Sequence, residues 1–217
     1  MSEDVRDAYD LWSKHYDSDL NKTRDLDEMI MKQYLRDKRF DSILELGSGT
    51  GKNSSHFLEH TDFLLSVDFS EKMMAEAKAK IRSPKAKYHQ FDICQPWNFS
   101  KEKFDLISFS LILEHIKDLG FIFNESRKFL NESGRVIVSE FHPFKQYQGS
   151  QAKFEEDDSI VKIPAFVHHL SEYFEVAKSA GFQLIDWKEI GDDSSEEKIP
   201  RILFMEFVLN SGDNTEG

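Results

Sequence analysis

One cysteine, Cys94, stands in the whole chain. That excludes an internal disulfide, argues against zinc–thiolate or arsenic chemistry, and suits a reducing compartment. No apolar run approaches the roughly 18 residues that a membrane-crossing helix needs. The start, Met1-Ser2-Glu3-Asp4, is acidic and lacks the hydrophobic stretch of a secretory leader, so a cytoplasmic location is expected. Basic charge is also short. Lys plus Arg number 28 against 40 for Asp plus Glu, a net charge of −12. Such a field repels polyphosphate, no basic stripe relieves it, and nucleic acid is an unlikely partner. The acidic runs Glu155-Glu156-Asp157-Asp158, Asp192-Asp193 and Glu196-Glu197 read as solvated loops. What is present, 39% apolar and 13% aromatic residues, excludes general disorder and suffices for one core, so residues 1–217 are expected to form a single domain.

Glycine is concentrated where it matters. The segment Ile43-Leu44-Glu45-Leu46-Gly47-Ser48-Gly49-Thr50-Gly51 is a buried-strand pattern closing on three alternate glycines. Such a loop lets backbone approach a ligand where side chains would collide. Asp68 ends a second apolar run, Phe63 to Val67, about one βα unit on, placed to accept hydrogen bonds from both hydroxyls of a ribose. Spacing excludes two familiar phosphate loops. A dinucleotide fingerprint would need its third glycine at Lys52. A P-loop would need its first at Leu46 and a hydroxyl at Asn53.

The remaining pattern, E-x-G-x-G-x-G, resembles the first motif of class I S-adenosylmethionine-dependent methyltransferases, and the resemblance runs from about Tyr9 to Leu209. Glu45, Gly47, Ser48, Gly49 and Gly51 fall in that motif, Asp68 is similar to the ribose acid, and Phe69 to Met74 to the turn and helix start that follow. Phe91-Asp92-Ile93 resembles the segment that meets the adenine, and Phe104 to Ser110 with Leu113 to Ile116 the fourth strand and its helix. The resemblance implies S-adenosylmethionine as cofactor and S-adenosylhomocysteine as product. Met73 and Ile93 would wall the adenine, Asp92 would accept from its amino group, and Ser110 would join the cofactor site. Tyr16, beside Asp17, would fold over the methionine end.

Alternating strand and helix signals over 42–141 predict a mostly parallel sheet with helices on both faces. Two helical pieces over residues 4–38, broken near 18–23, precede it as a cap (1–40). After a helix from Ser171 to Ala180, strands 182–189 and 201–209 follow without an intervening helix, which predicts an antiparallel pair. That ending matches the family's Rossmann-like seven-stranded order 3-2-1-4-5-7-6, with the last strand antiparallel. Residues 210–217 are polar and expected to fray. The stretch 142–170 exceeds what the core fold requires and reads as an irregular substrate lid at the carboxyl edge of the fifth strand.

Methyl transfer to a hydroxyl benefits from a general base. His168 and His169, before the Ser171 helix, where the dipole disfavours a charged imidazole, are the first candidates, and His142, following the fifth strand, is the next. Glu114-His115 is a further pair. His56-Phe57-Leu58-Glu59-His60 spells H-x-x-E-H, but it opens directly from the glycine loop, away from any cleft, and metal binding is not expected. The reading is a methyltransferase of a small organic molecule, at oxygen. A small amine, a macromolecule such as tRNA or a carrier-bound acyl chain, and a non-catalytic cofactor binder are the alternatives.

Overall fold

Strand after strand in this chain is apolar on both faces, as a sheet covered by helices on each side requires. The computed structural model describes residues 1–156, 159–191 and 199–210. The order of elements is α1 (Glu3–Trp12), α2 (Lys22–Leu35), β1 (Phe40–Leu46), α3 (Ser54–Glu59), β2 (Thr61–Asp68), α4 (Glu71–Lys80), β3 (Ala86–Gln90) and β4 (Phe104–Ser110). A 3₁₀ turn (Leu113–His115), α5 (Leu119–Phe129), β5 (Leu130–Phe141), α6 (Pro143–Tyr147), β6 (Lys153–Glu156), β7 (Ser159–Lys162), α7 (Leu170–Ser179), β8 (Phe182–Gly191) and β9 (Pro200–Leu209) follow. The main sheet runs β3-β2-β1-β4-β5-β9-β8, with β9 antiparallel to both neighbours. That is the expected order, with the last two labels shifted by the hairpin β6–β7.

Register decides what the sheet presents at its carboxyl edge. Leu46 pairs with Val67 on one side and Phe109 on the other, so Gly47, Asp68 and Ser110 follow at one level. Side-chain alternation then divides the core. Leu44, Leu46, Val67, Phe109 and Val138 face α5 and α7, which contribute Phe123, Tyr173 and Ala177. Ile43, Leu64, Leu106 and Ile137 face α2 and α3, which contribute Met31, Leu35 and Phe57. On that second face Glu45 lies between Ser66 and Ser108, a buried polar row leading to the glycine loop.

Residues 142–170 are not the irregular lid expected from sequence. They hold a helical turn and a hairpin that pairs only with itself. The apolar residue Phe154 stacks on Trp12 of α1 at 5.1 Å, and both join a small core with Val5, Met73 and Ile163. The N-terminal cap and this excursion therefore pack on each other. A smaller difference lies at α7, where His169, not Ser171, is the N-cap residue and makes no side-chain cap bond. The tail expected to fray falls, from 211 onward, outside the described residues, as do Asp157, Asp158 and residues 192–198 of the acidic runs.

Candidate active site

Gly47 and Gly49 both have positive φ, +75° and +52°, where a side chain is strained. Their surroundings differ. A Cβ on Gly47 would lie 2.3 Å from Ile112 Cδ1, whereas one on Gly49 would meet nothing within 4 Å. Open space beside Gly49 is the cradle itself. The loop is held by Asp68, whose Oδ2 accepts from Gly49 N–H at 2.7 Å and whose Oδ1 accepts from Ser70 N–H at 2.8 Å. Each oxygen keeps a further lone pair, the capacity that a ribose acid would need. Burial pushes the Asp68 carboxyl up to about 6, against the pull of the Ser70 and Gly49 donors.

Beside the loop lies a polar chamber lined by Arg24, Asp27, Ser48 and Asn53, with Glu45 and Tyr16 also on its wall. Four buried polar atoms there have no partner: Arg24 Nε, Asp27 Oδ1, Ser48 Oγ and Asn53 Oδ1. An unpaired buried polar group costs about 1–3 kcal/mol, so four on one wall mark a place where a polar ligand belongs. The amino and carboxylate groups at the methionine end of S-adenosylmethionine present the complementary donors and acceptors. The remaining bonds preset this wall: Ser110 Oγ–H donates to Asp27 Oδ2 at 2.6 Å, and Asn53 Nδ2 donates to the same oxygen at 2.9 Å. Glu45 Oε2 accepts from Ser54 at 2.5 Å and Ser66 at 2.8 Å, and burial pushes its carboxyl up to about 7.

On the other side of Gly49, a narrow cavity of about 60 Å³ runs under α1, walled by Tyr16, Phe69, Met73, Ser110 and Leu111. Tyr16, Phe69, Met73, Ser110, Gly47, Gly49 and Asp68 are thus brought together as the sequence suggested. Four of the suggested residues are not. Gly51 faces α4, where a Cβ would crowd Ile81 Cδ1 at 2.8 Å, so its bareness serves packing. Ile93 is buried in the core, and Phe91 packs on Phe99 with ring centres 5.1 Å apart. Asp92 accepts from the Met1 ammonium at 3.0 and 2.9 Å and from Cys94 N–H at 3.0 Å, so its oxygens are already engaged.

A second, larger cavity of about 570 Å³ opens between the α1–α2 connection and the excursion. It shares Tyr9, Tyr16 and Leu111 with the narrow cavity. Leu111 has φ +52°, a left-handed conformation rare for leucine, held by its N–H bond to Ser139 O at 2.9 Å. At the same junction Tyr9 Oη lies 2.9 Å from His115 Nε2. His115 Nδ1 donates to Pro164 O at 2.7 Å, which leaves Nε2 as the acceptor in the neutral ring. Glu114 Oε1 is 3.8 Å from that Nε2, and burial holds the Glu114 carboxyl above its usual range.

The three histidines put forward as bases all have structural work. His168 is buried with Nε2 against Ile116 O at 2.7 Å and Nδ1 against Glu172 at 3.0 Å. His142 caps α6, its Nδ1 accepting from Phe144 N–H at 3.1 Å while Nε2 meets Glu189 at 2.9 Å. His169 is exposed, with Nδ1 2.6 Å from Tyr147 Oη. None of them lines either cavity. In the H-x-x-E-H segment, His56 bonds Glu28 and His60 the Lys38 carbonyl.

Sequence reasoning missed Arg24, Asp27 and Asn53, and ranked the pair containing His115 last. Asp27 and Arg24 look like the solvated face of a helix, and only the turn of α2 toward the glycine loop buries them. The one available signal was Asn53 in the hydroxyl position of the rejected P-loop, a polar side chain at the mouth of a ligand loop.

Residues 44–138 match the family described as Methyltransferase domain. Ubiquinone biosynthesis O-methyltransferase of Pelagibacter ubique is 29% identical over 98 residues, covering 45% of this chain and 40% of that protein. A putative S-adenosylmethionine-dependent methyltransferase from Listeria monocytogenes is 22% identical, covers 85% of this chain and 99% of its own, and superposes with a TM-score of 0.71. The DhpI–SAH complex is 18% identical, covers 97% of each chain, and gives 0.75. Sequence match and fold meet on the same residues: 44–138 match the methyltransferase domain, and the chain as a whole has the fold of S-adenosylmethionine-dependent methyltransferases.

Proposed function

We propose that the enzyme methylates a small organic molecule at oxygen, with the acceptor seated in the larger cavity. One observation supports this reading: that cavity and the narrow one share Tyr9, Tyr16 and Leu111 as wall residues. At about 570 Å³ it lies in the ~300–1,000 Å³ range of small-molecule pockets. The bound sulfonium supplies a methyl carbon already activated for displacement, so the chain's task is alignment, which can lower the barrier by ~7–11 kcal/mol. Tyr16 and Leu111 form the wall past which the acceptor oxygen must approach.

The oxygen preference rests on the Tyr9–His115 pair. A hydroxyl must lose its proton as the new bond forms, and His115 Nε2, which accepts from Tyr9 Oη, is a base on the wall of the narrow cavity. The proton passes to Nε2 directly or through Tyr9 Oη, and the Glu114 carboxylate stabilises the imidazolium that results. The O-methyltransferase of Pelagibacter ubique, by its name, fits the same reading. The thiol of Cys94 accords with a cytoplasmic setting.

The test is transfer from methyl-tritiated cofactor to a panel of small phenols, hydroxy acids and amines, with RNA and protein fractions alongside. Label on the oxygen of a small acceptor, lost about 100-fold in His115→Asn, supports the proposal. Label confined to macromolecules, or carried by amines regardless of His115, overturns it.

A further inference from the structure

The larger cavity inverts the charge of the molecule around it. Acidic residues outnumber basic ones 40 to 28 along the chain, so a wall drawn at random would carry more acids than bases. Among the described residues, this wall carries Lys22, Arg24, Lys153, Lys162 and Arg201 against one carboxylate, Glu114. They come from four separate places: the start of α2, the strands β6 and β7, and the start of β9. No single helix face or low-complexity run produces the clustering.

Among the described residues, Lys22, Lys153 and Lys162 form no ion pair and reach the cavity as solvated ammonium groups. Arg201 Nη1 donates to Thr23 at 3.3 Å and closes the rim. Arg24 is the inner cation. It is 7% exposed, its planar group lies over Tyr16 at 4.0 Å, and it spends its Nη groups on the carbonyls of Tyr16 and Asp19. It takes no carboxylate partner among the described residues, and its Nε has no acceptor at all. Arg24 lines the polar chamber beside the glycine loop as well as this cavity, so it lends the cavity positive field without being its anion ligand.

We propose that the methyl acceptor is an anion, a small organic molecule whose carboxylate or phosphate is held by Lys22, Lys153 and Lys162. The inference rests on the reading of this cavity as the acceptor site. The negative field elsewhere repels such an anion, so the cationic wall selects both for charge and for where the molecule lands. An acidic handle at the rim also orients the acceptor, leaving its far end to meet the Tyr9–His115 junction.

Ligands of one ring size separate charge from shape. Benzoate, phenyl phosphate, benzamide and benzylammonium are titrated into SAH-loaded protein, reading tryptophan emission, to which Trp12 on the cavity wall responds. The expected result is that benzoate or phenyl phosphate binds at least about tenfold tighter than benzamide, with an advantage that shrinks as salt rises. The preferred anion tells a carboxylate acceptor from a phosphate one. The triple variant Lys22→Gln, Lys153→Gln, Lys162→Gln should erase that preference while its melting temperature and SAH affinity stay put. Benzamide binding as well as benzoate, preference for benzylammonium, anion binding untouched by the triple variant, or no binding by any probe at about 20 mM would each overturn the proposal. Failure of the wild type to bind SAH by calorimetry sinks the methyltransferase reading instead, and the charge ranking of the probes, repeated without SAH, still answers this one.

Discussion

Tyr9 and His115, from the N-terminal helix and the turn after β4, place Oη and Nε2 2.9 Å apart on the wall of the narrow cavity, and Tyr9 lines the larger one as well. A merely packed tyrosine would not need a histidine whose other nitrogen is fixed by a backbone carbonyl. Replacing Tyr9 with Phe or His115 with Asn should lower kcat by about 100-fold, with SAH affinity within a few-fold of wild type. The check is steady-state kinetics with calorimetry on the same preparations. Equal loss of cofactor affinity would reduce the pair to a structural prop.

Asp68 accepts from Gly49 and Ser70 and offers its remaining lone pairs to a ribose. Asp68→Ala should weaken SAH binding by about 10- to 100-fold, the loss of two hydrogen bonds to a charged acceptor. Unchanged affinity by calorimetry would remove the carboxylate from the site.

Gly47 and Gly49 should fail differently when given a methyl group. Gly47→Ala drives a Cβ against Ile112 and should lower both melting temperature and SAH affinity. Gly49→Ala meets no protein atom, so apart from the strain of its φ it should chiefly cost ligand binding. Thermal unfolding with and without SAH distinguishes the two; identical profiles would contradict the assignment of open space at Gly49 to the ligand.

Three buried carboxyls are pushed upward, chiefly by burial: Asp68 to about 6, Glu45 to about 7 and Glu140 to about 8. Each keeps its proton in the fold at a pH where the unfolded chain has lost it. Stability therefore declines as pH rises from the unfolded carboxylate range through 6 to about 8. The melting temperature should fall by several degrees between about pH 5.5 and 8.5, and Glu140→Gln should flatten the upper part of that slope. A rise across this window, or an unaltered slope in the variant, would contradict the assignment.

His142 is the cap of α6, not a base. His142→Ala should cost about 1 kcal/mol of stability and leave the rate constant for transfer unchanged, measured by denaturant melts and initial rates. A large drop in kcat at preserved stability would return it to the active site.

Much of this was legible in the sequence, for a physical reason. The sheet order followed because buried parallel strands and their connecting helices leave local signals: apolar runs, a glycine loop, and an acid ending Phe63 to Val67. Residues brought together by backbone position, such as Gly49 and Asp68, could be paired by spacing alone. Residues whose part depends on tertiary approach could not. Arg24 and Asp27 are unremarkable in a helix until α2 packs over the glycine loop. The excursion misled in the opposite sense. His142, His168 and His169 cluster in sequence around a segment of unknown shape; both ring nitrogens of His142 and His168 turn out to be engaged, and His169 points its Nδ1 to Tyr147 at the surface, outside either cavity.

The cavity beneath α1 is too tight for a nucleoside as it stands. Seating a nucleoside there is expected to swing the first helix outward. That swing detaches the Met1 ammonium from Asp92, Asp10 from Ser70 Oγ, and Trp12 from Phe154 in one movement. Since the same swing parts Tyr9 from His115, the proton-accepting pair exists only while the door is shut. On this reading, an enzyme with that helix open holds its methyl donor without a paired base.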